Sequence, residues 1–309
     1  MKNLKEYINE GLADWGEDNT LNKKISKQTT KSAIKKEIID WVITNSVGRM
    51  FKNRFTFDFD TTPITVNYDG NIALTPYVDS LTNGLFQWGE INGSFEVKYN
   101  KKITSLEGAP KKVRHDFSCR DCSSLESLEG GPFKVGRNYV CSCCKSLKTL
   151  KGCPEEIGER FHCDGCTGIT TLEGSPKKIG MSFRCTECTS LKSLKGCPEE
   201  ISSIFDCTDC HNLTSLKYGP KKASGYYCDG TNIESLENAP DMMKEGVFSC
   251  KNCTKLKSLK GCPSMLAVLN IGGCKSLKSL EGLPETNSCK IFASDINIFD
   301  NVPKNYELR

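Results

Sequence analysis

No run of about 18 apolar residues occurs in this chain of 309 residues, so a transmembrane helix is not expected. Charge of one sign is also missing. The 42 basic and 38 acidic side chains leave a net +4, which gives no strong general pull toward nucleic acid or a membrane surface. The stretch Met1 to Trp15 is charged throughout and lacks the apolar core of a secretory signal, so a secreted protein is not expected. Histidine is scarce: there are three, and His115, His162 and His211 do not share a setting. Phosphate-binding glycine loops and paired-carboxylate motifs are absent as well. No catalytic constellation can be assembled from these residues, and a non-enzymatic protein without a cofactor is the expectation.

What the chain does have is cysteine, 19 in all, which would ordinarily suggest a disulfide scaffold or zinc modules. Spacing decides more than number. Phe117-Ser-Cys119, Tyr139-Val-Cys141, Phe161-His-Cys163, Phe183-Arg-Cys185 and Phe205-Asp-Cys207 recur with a constant period of 22. Tyr226-Tyr-Cys228, Phe248-Ser-Cys250 and Leu269-Asn-Ile271 continue the series, and Phe95-Glu-Val97 precedes it. With a degenerate last copy at Ile291-Phe-Ala293 there are ten units of 21–22 residues. Length alone would suggest two domains, but a repeat array grows by stacking and escapes that rule. Alternation in F-x-C puts the aromatic and the cysteine on one face of a short strand. Leucine pairs such as Leu125 and Leu128 add core contacts, and Gly and Pro punctuate each unit.

The order of apolar positions resembles leucine-rich repeats, particularly the short bacterial type with proline before the strand. It is still more similar to repeat proteins of large tailed bacteriophages of the T-even type, whose units read F-D-C-S-N-N-x-L-T-S-L-E-G-A-P. Ile103-Thr-Ser-Leu-Glu-Gly-Ala-Pro110 nearly repeats that phrase. The resemblance spans about two-thirds of the chain. It implies a leucine-rich-repeat-like solenoid, mainly β, over residues 91–309. The place of the family's ladder asparagine is here mostly cysteine: Cys122, Cys144, Cys166, Cys188, Cys210, Cys253 and Cys274, with Asn100 and Thr231 in other copies.

Three readings of the cysteines are open. The preferred one is buried free thiols, since cysteine packs as a small hydrophobe and Val97 and Ile271 replace it at equivalent positions. Zinc is the alternative, held by C-x-x-C pairs at Cys119/Cys122, Cys141/Cys144, Cys163/Cys166, Cys185/Cys188, Cys207/Cys210 and Cys250/Cys253. Disulfides come third, because stacked strands set their Cβ vectors parallel instead of converging.

Charge alternates along the array. Units reading E-G-x-P-K-K, such as Glu173 with Lys177 and Lys178, are interleaved with K-G-C-P-E-E units, such as Lys195 with Glu199 and Glu200. Stacked in register, unlike charges would meet, which neutralises the edge and disfavours a nucleic-acid stripe. The unit around Pro220, with Lys217, Lys221 and Lys222, is locally basic. Recognition is expected on the open strand face, where the variable positions Arg120, His162, Asp164, Arg184, Thr186, Asp206, Thr208, Tyr227, Asp229 and Lys251 carry both signs and suit a protein partner.

Ahead of the array, Leu4, Tyr7, Ile8, Leu12 and Trp15 space out a short amphipathic helix over residues 1–15. Residues 16–30 read as a linker. Ile34, Ile38, Trp41 and Val42 mark a second helix, and strands are expected at Phe55 to Phe59 and Ile64 to Tyr68, so residues 31–90 form a small α+β cap. The first ten residues resemble the capsid-targeting peptide of internal head proteins in T-even-type phages. The prohead protease that cuts such peptides becomes a partner on this resemblance, with Ile8, Glu10 and Gly11 as the processing site. The functional expectation is a phage recognition solenoid in the host cytoplasm. Its alternatives are a virion-internal protein processed after Glu10 and a zinc-stabilised nucleic-acid binder.

Overall fold

The computed structural model describes residues 20–283, 289–296 and 307–308. They form a parallel β-solenoid of about ten turns spaced roughly 22 residues apart, with one helix at the N-terminal end. Each unit contributes its F-x-C strand to a twelve-stranded sheet that runs from Ile72–Leu74 to Glu307–Leu308. Most of the earlier units contribute a second short strand, at the apolar residue after the proline, to a seven-stranded sheet that includes Lys112–Val113, Lys134–Val135, Glu156–Ile157 and Lys178–Ile179. Only the F-x-C strand is expected from the sequence. The second has a single buried side chain per turn, such as Val135 or Ile157, and so offers no alternation to read.

Register is strict. Phe161 pairs with Tyr139 on one side and Phe183 on the other, and the strands run parallel throughout the repeats. Like side chains therefore stack on like. The aromatics form a continuous column: Phe95 to Phe117 at 6.1 Å between centroids, then 4.9 Å to Tyr139, and on through Phe161, Phe183, Phe205 and Tyr226 to Phe248. The first cysteine of each pair and both leucines complete a core in which these side chains are fully buried, as with Cys163, Leu191 and Leu194.

The coil begins earlier than the boundary expected at Ile91. Ile64–Tyr68 pairs in parallel with Phe86–Ile91, and Ile72–Leu74 with Phe95–Val97, which makes a complete turn inside the segment read as cap. That turn lacks cysteine and the F-x-C phrase, so the repeat consensus does not reveal it. The helix also starts earlier, at Thr20, and occupies residues 20–30 that read as linker. Its buried face is Ile34, Ile38 and Val42, one turn apart each, and Trp41 meets Phe86 edge-on at 5.7 Å.

Both sheets are closed at this end by reversed chain. Val47 N donates to Ala73 O (2.7 Å) and Thr75 N to Asn45 O (2.7 Å), an antiparallel bridge across the first strand of the larger sheet. Phe55–Asp58 pairs antiparallel with Ile64–Tyr68 and closes the smaller one. Antiparallel closure ends the parallel stack and protects an edge that would otherwise recruit another chain.

The alternating charges meet across turns as expected. Lys177 contacts Glu155 and Lys178 contacts Glu156, each at 2.6 Å, and Lys195 reaches Glu173 at 2.7 Å and Lys260 Glu237 at 2.7 Å. The alternation fails where Lys112 lies beside Lys134 in register, and again where Lys217 follows Lys195 at the 22-residue offset.

Candidate functional site

The outer face of the twelve-stranded sheet is generated by the same alternation that buries the aromatics. With Phe205 inside, Ile204 and Asp206 stand outside, and every turn repeats the arrangement. Three columns of side chains result. The middle one, between aromatic and cysteine, brings His162, Arg184, Asp206 and Tyr227 together as register neighbours. The column after the cysteine holds Arg120, Asp164, Thr186, Thr208, Asp229 and Lys251. A third column, just before the aromatic, is missing from the residues singled out in the sequence: Asp116, Asn138, Arg160, Ile204, Val247 and Val268. The strand period that sets the first column outward could have found it.

The aspartates are tied down by the scaffold. Asp164 Oδ1 accepts from Thr186 N (3.1 Å) and Oγ1 (2.9 Å), Asp206 Oδ1 from Thr208 N (3.0 Å), and Asp229 Oδ1 from Ser249 Oγ (2.6 Å) and Lys251 N (2.8 Å). Burial raises the Asp229 carboxyl above its usual range, against those two hydrogen bonds. Arg184 lies between two carboxylates, its Nε 3.6 Å from Asp164 and 4.0 Å from Asp206, and the side chain is 44% exposed. Burial lowers the pKa of His162, which keeps the ring neutral near pH 7. Arg120 is drawn instead to its neighbour Asp121, 3.1 Å away. Thr186 is buried, so its hydroxyl serves the sheet more than the surface.

The face changes character along the coil. From Asp116 to Arg184 it is polar and charged apart from Val140. From Ile204 onward apolar side chains join the polar ones, with Ile204 at 36% and Phe292 at 37% exposure and half-buried Tyr227, Val247 and Val268 standing among Asp206, Asp229 and Lys251. The Tyr227 ring lies across the space left by Gly225, where a Cβ would come within 2.9 Å of it.

The cysteines of the C-x-x-C phrase split into two columns with different partners. The second thiol of each pair donates to a backbone carbonyl of the preceding turn: Cys122 to Val97 O, Cys144 to Cys119 O, Cys166 to Cys141 O, Cys188 to Cys163 O, Cys210 to Cys185 O and Cys253 to Cys228 O, all at 2.9–3.2 Å. Asn100 shows what this column replaces. Its Nδ2 donates to Val78 O (2.8 Å), and its Oδ1 accepts from Lys102 N (2.7 Å) and Ile103 N (2.9 Å). Cysteine keeps the donor half of that arrangement. The acceptor half passes to its own carbonyl, as in Leu125 N to Cys122 O at 3.1 Å. All the described cysteines are free thiols. Among the described residues no three His, Cys, Asp or Glu side chains are grouped to hold a metal ion. Burial pushes the thiols of Cys141, Cys163, Cys207 and Cys228 well up, and that of Cys122 up to about 12.

The processing site read at Ile8, Glu10 and Gly11 lies outside the described residues. Among those described, no helix is long and apolar enough to cross a membrane. No protein-family model matches the chain, and comparison with curated proteins and with solved structures gives no match.

Proposed function

We propose that the chain is a non-enzymatic recognition solenoid that binds a protein partner through the open face of the twelve-stranded sheet. One observation carries this reading. The inward positions repeat almost without change, whereas the outward columns differ from turn to turn, from a charged cluster around Arg184 to turns where Ile204, Tyr227 and Val247 stand among Asp206, Asp229 and Lys251. A solvated face has no use for half-exposed isoleucine, tyrosine, valine and phenylalanine. Arginine and tyrosine side by side on a rigid sheet are the residue types that dominate protein interfaces. The mixed signs speak against a nucleic-acid backbone, which calls for cations in a row.

The resemblance of the units to those of large tailed bacteriophages supports a phage protein acting in the host cytoplasm. Delivery from the virion interior after cleavage at Glu10 is the second form of that reading. A pull-down from host-cell extract tests the face, with wild type compared to Arg184→Ala and Tyr227→Ala. Loss of the captured partner by about thirtyfold or more in both variants, at unchanged circular dichroism, is the expected result. Equal capture by all three proteins would sink the assignment.

A further inference from the structure

Each corner between the leucine pair and the proline turns on one residue in the left-handed region, and at nearly every unit that residue is glycine. Gly108, Gly130, Gly152, Gly174 and Gly196 have φ between +82° and +98°. Glycine is required there for a second reason, close approach. A Cβ on Gly130, Gly152, Gly174 or Gly196 would fall 2.3–2.5 Å from backbone atoms of the preceding turn. Asn238 occupies the same corner at φ +70°, a conformation that asparagine enters readily. The exception is Tyr218, at φ +69°, a bulky side chain where such a backbone is a genuine outlier.

Packing does not explain this tyrosine. Its neighbour Gly219 is dictated by Tyr226, whose hydroxyl stands 2.5 Å from where a Gly219 Cβ would be. The unit of Tyr139 also has a glycine before its proline, Gly131, with the Tyr139 hydroxyl 3.4 Å from its Cβ position, yet keeps Gly130 at its corner. Tyr218 is therefore surplus to the fold. The preceding corner stays tight, a Gly196 Cβ falling 2.4 Å from Leu172 O, and the coil accommodates Tyr218 one turn further on.

The side chain so accommodated points to a partner. Tyr218 is 51% exposed, with Lys217 Nζ 5.0 Å above its ring. Lys221 Nζ reaches the carbonyl of Asn238 (3.4 Å) and no carboxylate. Of the acids in the adjoining turns, Glu173, Glu200 and Glu237 are engaged by Lys195, Lys222 and Lys260, whereas Glu199, whose carbonyl accepts from Lys221 N, and Asp241 make no ion pair among the described residues. Two cations that make no ion pair among the described residues flank one strained, exposed aromatic.

We infer that this corner is a second contact surface, separate from the sheet face, that binds an acidic segment of a partner protein, with Tyr218 as the anchor and Lys217 and Lys221 as the charge. Strain held at an exposed tyrosine has a reason if the ring is needed outside the molecule. The test is fluorescence anisotropy of a labelled oligoglutamate peptide at low salt, with wild type, Tyr218→Gly and the Lys217→Ala/Lys221→Ala pair. Both variants are expected to bind about tenfold or more weakly, while Tyr218→Gly unfolds at a temperature equal to or roughly 2–4 °C above wild type. Four results overturn the proposal: no binding by wild type, affinity unchanged in both variants, oligothymidine bound as tightly as the peptide, or a lower unfolding temperature for Tyr218→Gly. The last would show that the ring is held for packing.

Discussion

A thiol buried beside a carbonyl is a weak donor, yet this chain uses it at turn after turn. The consequence is a dependence on alkaline pH. Burial raises the folded-state pKa of Cys141, Cys163, Cys207 and Cys228 above the unfolded value near 9. The sign follows from proton binding: above that value the unfolded chain loses protons that the folded one retains, so the stability present below pH 9 falls as pH rises further. Each such thiol contributes a slope of about 1.4 kcal/mol per pH unit, and four together lose most of a domain's stability within one to two units. Urea titrations from pH 7 to 11 should show a steep decline beginning near pH 9, and Cys141→Val with Cys163→Val should shift it upward, valine being what the Val97 unit already carries. A flat profile to pH 11 would contradict the account. At the same scale, Gly219 and Tyr226 form a coupled pair. Gly219→Ala alone is expected to cost about 1–3 kcal/mol by overpacking, and much less in combination with Tyr226→Phe, whose hydroxyl has no hydrogen-bond partner. A double-mutant cycle with no interaction energy would refute this.

Among the elements, the F-x-C strand was readable because its aromatic and cysteine alternate with exposed positions, and because the period recurs ten times. The second strand of the unit was not. A lone valine or isoleucine after P-x-x has no periodicity, and only the stacking of one turn on the next gives it a partner. The same reasoning covers the early turn at Ile64–Tyr68 and Ile72–Leu74, which follows the solenoid's spacing with none of its residues. Helix Thr20–Thr44 extends back through a stretch too polar to announce itself. The pairing of Glu155 and Glu156 with Lys177 and Lys178, by contrast, was legible, since it needed only the 22-residue offset. Lys178→Glu would put a third carboxylate between Glu156 and Glu200, stranding Glu156 and leaving Glu200 to Lys222 alone. The variant should melt lower than wild type in dilute buffer and recover with added salt, as screened surface repulsion requires. Identical melting at every salt concentration would remove register from the functions of that column.

Taken whole, the molecule is quasi-one-dimensional, and its recognition face was half legible. Two outward columns followed from the strand period once the register was known to be a multiple of the repeat. The column before the aromatic, where Ile204, Val247 and Val268 make the apolar end, escaped because the motif was read from the aromatic forward. One feature of this architecture reaches into mechanics. Because every turn stacks in parallel on the next and the rings of Phe95 to Phe248 form a single file, a pull on the two ends strips the coil turn by turn from an end. Each turn frees about 22 residues, and at about 3.5 Å per residue the extension per rupture is roughly 70 Å once the folded rise is subtracted. An optical-trap trace should therefore be a staircase of near-equal steps, starting at the end opposite the helix, where no described antiparallel strand locks the sheet. One all-or-none rip would mean that the single file of rings binds the turns into one mechanical body.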